Sequence, residues 1–207
     1  EISEQEELDR VLPAVELIHE RFPKAIISID TYRAGVAKAA VGAGAGLVND
    51  IGAGDLDSDM LATVAALHVP YIAMHMQGTP RTMQAAPHYS DVAADVTKYL
   101  GERLNAAHNA GIADVVLDPG FGFGKTTAHN FNLLKELARV VALGAPVLVG
   151  ISRKRMINEI LGTKPEEALN GTTALNTIAL LKGASILRVH DVREAVECVK
   201  LVEALAG

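Results

Sequence analysis

Thiols are nearly absent from the 207-residue chain: Cys198 is the one cysteine, so no disulfide can form among these residues and no cysteine-based zinc cluster can be built. A reducing, cytoplasmic setting is the expectation. No apolar run approaches the ~18 residues that a membrane helix requires. The opening residues Glu1, Ile2, Ser3 and Glu4 have neither the basic start nor the apolar core of a secretory signal, so no membrane association is expected. An excess of positive charge is missing too. A formal net charge of −6 argues against nucleic acid as a partner, because such proteins carry a basic footprint. Apolar residues make up 49% of the chain against 21% charged, which excludes a disordered or low-complexity chain.

Short apolar runs that end in polar residues recur, each followed by a stretch with helical spacing, and this alternation predicts parallel βαβ units. Strands are expected at 25–30, 46–50, 70–75, 114–118, 146–151 and 185–190, apolar on both faces as buried parallel strands are. Helices are expected near 33–41, 57–67, 91–110, 129–143, 165–182 and 192–205. Gly111 and Gly183 sit where C-terminal caps belong. A further helix opens the chain, with Ser3 and Glu6 as a capping box, a stripe of Leu8, Val11, Leu12 and Val15, and a kink at Pro13. A first helix with no strand before it is odd for a self-contained α/β domain. Six βα units in 207 residues fit an eight-stranded barrel, typically ~250 residues, that lacks its first two strands. The competing architecture is a doubly wound open sheet of six strands. No linker or composition break marks a second domain, so 1–207 is read as one barrel domain whose first part lies upstream of Glu1.

Chemistry-bearing residues gather at the C-terminal strand ends: Asp30, Asn49 with Asp50, His75, Asp118, and Arg188 with His190, while Ser152, Arg153 and Lys154 follow another strand. Each alone reads equally well as a turn or helix cap. Together they mark the mouth where parallel barrels build their sites. The set divides by charge. Asp30, Asn49 and Asp118 suit the N–H-rich edge of a flat heterocycle, because an ionised carboxylate only accepts. Lys154, Arg188 and His190 suit an anion. Metal binding by the acidic trio has no supporting spacing. The segment PGFGFGKT at 119–126 imitates a phosphate-binding loop but has proline where the first glycine belongs, which excludes a nucleotide triphosphatase on that motif. Gly42, Gly44 and Gly46 precede a strand, so they end a helix and are no dinucleotide fingerprint. Phe123 is either a wall of a site or packed inward. The stretch 75–89 is a loop of the length that usually covers a site. His19, His68, His108 and His129 are expected in surface or capping roles, and Cys198 in core packing.

The segments SIDT (28–31), VNDI (48–51), MHMQGTPRTMQ from Met74, LDPGFGFGKT from Leu117, LVGISRK from Leu148 and RVHDV from Arg188 closely resemble the dihydropteroate synthase family, in order over essentially the whole chain. The resemblance implies a TIM barrel, here its last six βα units, and a folate-pathway transferase. The reaction it implies joins 6-hydroxymethyl-7,8-dihydropterin pyrophosphate to p-aminobenzoate and releases pyrophosphate. By matching motif, Asp30, Asn49, Asp118, Lys154, Arg188, Met74 and Gly150 would bind the pterin. Arg188 and His190 would hold the pyrophosphate, and Phe123, Ser152 and Lys154 would line the aminobenzoate site. Lys154, Arg188 and His190 are the catalytic candidates. The resemblance also implies magnesium, whose protein ligand in the family lies upstream of Glu1, a homodimer, and sulfonamides as ligands. Two rival functions are a methyltetrahydrofolate-dependent corrinoid methyltransferase and a non-catalytic pterin-binding fragment.

Overall fold

The computed structural model describes residues 2–79, 81–83 and 87–206 and divides into two compact units, 1–74 with 101–116 and 75–100 with 117–207. Helix α4 (Val92–Asn109) and strand β4 (Val115–Asp118) each contribute residues to both.

The first unit opens with helix α1 (Glu4–Arg21), where Ser3 Oγ accepts from the Glu6 amide at 3.1 Å. The reciprocal half of the expected capping box is replaced by a Glu6–Arg10 ion pair one turn along the helix. Helical bonding continues across Pro13. Of the predicted stripe only Val15 is buried, with Leu8, Val11 and Leu12 half-buried. Strands β1 (Ser28–Asp30), β2 (Leu47–Asp50) and β3 (Tyr71–Met74) pair in parallel in that order, joined through helices α2 (Ala34–Gly42) and α3 (Met60–Leu67). Small residues on α2, Ala34, Ala37 and Ala40, let it lie close on the sheet, and Val36, Val48, Met60, Val64 and Tyr71 complete a fully buried core.

In the second unit, the end of β4 bridges in parallel from Leu117 to Val147, and β5 (Leu148–Val149) pairs with β6 (Ile186–Leu187). Helices α5 (Thr127–Lys135), α6 (Ala138–Val141), α7 (Arg155–Leu161), α8 (Leu169–Leu181) and α9 (Val192–Ala206) flank them, and a 3-10 turn at Pro165–Glu167 precedes α8. The single helix expected over 129–143 is two. After Lys135 the amides of Leu137, Arg139 and Val140 bond three residues back, and this tightening lets Leu133, Leu134, Leu137 and Val140 all bury. Helix α7 escaped the pattern reading because its N-cap, Lys154, makes no side-chain cap bond.

All six predicted strands form, yet β1 and β6 are not apolar-buried on both faces: Ser28, Asp30 and Ile186 are exposed. Among the described residues each of these strands pairs on one side only, which leaves its outer flank uncovered. The capping glycines behave as expected, with φ +98° at Gly111 and +97° at Gly183. No helix among the described residues is long and apolar enough to cross a membrane.

Candidate active site

In the first unit, Asp30 and Asn49 are register partners on adjacent strands, Asp30 exposed and Asn49 buried. Met74, fully buried, ends β3. Alternation along β2 separates the two polar residues that the sequence presents together. Asp50 accepts from the Gly52 and Gly54 amides and from the Tyr71 hydroxyl, all at 2.7 Å. Burial raises its pKa above the ordinary carboxylate value, and those three bonds oppose the rise. Asp50 therefore braces the turn after β2.

In the second unit, Asp118 ends β4, is buried, and accepts from the Gly120 amide at 2.7 Å. Burial raises its pKa, while the Gly120 amide and the positive charges of Lys154, Lys125 and Arg188 pull it back. The next residues curl tightly, with Gly120, Gly122 and Gly124 all at positive φ, a backbone only glycine adopts without strain. Lys154 donates to the Phe121 carbonyl, and its ammonium stands 4.9 Å from the centre of the Phe123 ring. Its pKa is pulled down to about 8, chiefly by burial and further by Arg188, with Asp118 opposing. Gly150 lies beside both cations: a Cβ there would meet Arg188 Cβ at 3.7 Å and Lys154 Nζ at 4.0 Å, ordinary contact distances.

Lys154 and Phe123 also line a cleft of about 780 Å³, together with Phe121, Gly122, Arg155 and Glu159. Of the two alternatives for Phe123, the half-buried ring stands as a wall of the cleft, while Phe121 beside it is fully buried. Ser152 Oγ lies 2.9 Å from His190 Nδ1, and the His190 amide donates to the same hydroxyl at 3.2 Å. Next to them Arg153, at φ +56°, grips Asp191 through two nitrogens at 3.1 and 2.5 Å. The loops that follow β5 and β6 are locked together at two adjacent residues.

Sequence reasoning passed over Lys125 and Asn130. Lys125 is buried with its ammonium on His75 Nδ1 and two carbonyls, and Asn130 Oδ1 accepts from the Gly122 amide. The signal for both lay in the loop's glycines, whose turned peptide groups need partners. His75 itself is buried, and burial together with Lys125 pushes its pKa down to about 3. The other histidines keep to capping and surface roles: His68 closes α3 in the left-handed conformation, and His129 completes a capping box with Thr126. Cys198 is buried. Of the expected cover over 75–89, Pro80 and residues 84–86 lie outside the described residues. Its base is closed by paired bonds between Gln77 and His88, and Tyr89 donates to the Gly124 carbonyl at 2.9 Å.

Among the described residues no three His, Cys, Asp or Glu side chains gather to hold an ion.

The family of pterin binding enzymes matches residues 1–190. Dihydropteroate synthase of Escherichia coli is 46% identical over 206 residues, covering 99% of this chain and 72% of the relative. The crystal structure of the Yersinia pestis dihydropteroate synthase with a sulfonamide drug complex superposes with a TM-score of 0.94 at 43% identity, over 100% of this chain and 75% of that one. The Thermus thermophilus enzyme in complex with 4-aminobenzoate gives 0.93 at 42% identity, over 99% and 79%. These are TIM-barrel proteins, and the alternation of parallel strands and helices seen here is the corresponding portion of that fold. The chain belongs to the dihydropteroate synthase family of transferases.

Proposed function

We propose that Asp118, Lys154 and Arg188 hold the dihydropterin during its condensation with p-aminobenzoate, and that the cleft walled by Phe123 and Lys154 receives the aminobenzoate. The observation that carries this reading is the buried carboxylate of Asp118 among three cations beside an open cleft. Asp118 accepts from the pterin's N–H edge. Lys154 donates to the pterin carbonyl and ring nitrogen, beside Gly150. Arg188 stacks on the ring and, with His190, binds the pyrophosphate.

In the reaction, the bond between the exocyclic carbon and the pyrophosphate oxygen breaks, and the electron pair leaves with the anion. The carbon's positive charge spreads into the dihydropterin, favoured by the nearby carboxylate. Arg188 and His190 stabilise the departing pyrophosphate through charge-assisted bonds. The neutral aniline nitrogen then bonds to the carbon and releases one proton to solvent, so no strong base is needed. Ser152 serves twice, at the rim of the aminobenzoate site and as the support of His190. A sulfonamide, carrying an aniline of the same shape, competes for this cleft. Exposed apolar side chains on α8 and α9, among them Ile178, Leu181, Val196 and Leu201, support a homodimer, to be checked by sedimentation. The one unpaired thiol supports a cytoplasmic setting.

The test is turnover. The chain with both substrates is expected to release pyrophosphate and form 7,8-dihydropteroate in equal amounts, with His190→Ala losing far more affinity for the pyrophosphorylated pterin than for the bare pterin. Pterin binding with no product would reduce the chain to a binding module. Methyl transfer from methyltetrahydrofolate would make it a methyltransferase.

A further inference from the structure

Among the described residues, Lys125 is the one lysine or arginine that is buried, and the reaction gives its charge nothing to do. Its ammonium has three protons and meets three acceptors: Gly120 O at 2.9 Å, Phe123 O at 3.1 Å and His75 Nδ1 at 2.9 Å. None is a carboxylate, so this is no ion pair. Two of the acceptors lie in the glycine-rich turn after β4, and the third stands just after β3. The same turn is held from other directions as well. Gly120 N donates to Asp118, Gly122 N donates to Asn130, and Phe121 O accepts from Lys154. Carbonyls therefore alternate in what they face: 120 and 123 converge on Lys125, while 121 meets the cleft cation. With glycine at 120, 122 and 124, the turn has little rigidity of its own. Lys125 supplies the fixed point.

We propose that Lys125 is a positioning residue for the aminobenzoate cleft: by drawing Gly120 O and Phe123 O onto one ammonium tied to His75, it sets the Phe123 wall. This rests on the reading of the cleft given above. Lys125 borders the cleft, but its ammonium is taken up by its three acceptors, so it acts through Phe123. Its loss therefore frees a wall of one substrate's site while leaving the other substrate's contacts in place.

Lys125→Met keeps length and burial and removes the donors. It is expected to raise the KM for p-aminobenzoate about tenfold or more, with the KM for the pterin pyrophosphate changing less than about threefold. His75→Leu removes one anchor without deleting the Lys125 ammonium and should act in the same direction, less strongly; it also serves where Lys125→Met fails to fold. A double-mutant cycle gives the readout that a merely structural role would not move. In a Phe123→Ala background, Lys125→Met should change the p-aminobenzoate KM less than about threefold, because the wall it positions is gone. Equal rises in both KM values, unchanged kinetics, or full additivity with Phe123→Ala would overturn the proposal. Failure of the cleft assignment itself looks different: Phe123→Ala alone would leave the wild-type p-aminobenzoate KM intact.

Discussion

Ser152 Oγ receives the His190 amide and sits 2.9 Å from His190 Nδ1, so one hydroxyl fixes both the backbone and the ring of the residue assigned to pyrophosphate. Having accepted from the amide, the hydroxyl has its proton free for Nδ1. The contact holds the ring in one orientation, whichever of its nitrogens carries the proton. Ser152→Ala removes this orientation. Affinity for the pyrophosphorylated pterin should fall about fivefold to tenfold, in line with the ~1 kcal/mol of a typical hydrogen bond, while affinity for the bare pterin stays the same. Calorimetry with both ligands decides it, and equal losses would refute the orienting role.

Asp118 is placed for function at a cost to stability. Its pKa in the fold is raised above the unfolded value, so the stability it contributes is full below the ordinary carboxylate range and is lost as pH rises through the higher folded value. Ionising the carboxylate is a burden on the fold. Asp118→Asn should therefore leave the melting temperature unchanged or higher at pH 7.5. Pterin affinity should weaken by roughly 1.5–3 kcal/mol, the value of a charged hydrogen bond, because the amide presents a donor where an acceptor is required. A lowered melting temperature with intact pterin affinity would invert the assignment.

What the sequence made legible was set by the physics of parallel strands. An apolar run that must end at a polar residue marks its own C-terminal end, so Asp30, Asn49, Asp118 and His190 were visible as a set. Lys125 was not, because its role depends on His75, 50 residues away along the chain. Asn49 and Asp50 looked alike, and only the bonds from Tyr71 and two glycine amides show that Asp50 braces a turn. Helix α7 was hidden by its uncapped start, although Gly162 at φ +65° marks its end and Met156, Ile157, Ile160 and Leu161 keep helical spacing.

The Asp50 brace makes its own prediction. Tyr71 is fully buried and its hydroxyl donates to Asp50 at 2.7 Å. Tyr71→Phe leaves a buried carboxylate one donor short, which costs roughly 1.5–3 kcal/mol for a charged acceptor. The urea midpoint should drop accordingly. Because losing a donor raises the Asp50 pKa further, the drop should be larger at pH 8 than at pH 5. An unchanged midpoint at both pH values would show that the two glycine amides suffice.

His75 supplies a pH test of the buried pair with Lys125. Burial and then Lys125 hold its folded pKa at about 3, whereas the unfolded chain titrates near 6.5. Above 6.5 neither state binds the proton and the stabilising effect is complete. As pH falls from 6.5 toward 3 the unfolded chain takes up a proton that the folded one refuses, so stability declines by up to ~1.4 kcal/mol per pH unit from this residue alone. Carboxylates whose folded pKa is lowered, such as Asp91, Asp191 and Glu159, add their own acid losses at lower pH. They do so equally in a variant that leaves them untouched. His75→Gln keeps an acceptor for the Lys125 ammonium and removes the titration. Urea unfolding of both proteins at pH 7.5, 5.5 and 4.5 should therefore show curves that differ in slope: the wild type loses stability between pH 7.5 and 4.5, and the variant loses measurably less. Parallel declines would mean that His75 picks up its proton in the fold as readily as in water, and the neutral acceptor that Lys125 requires would be gone with it.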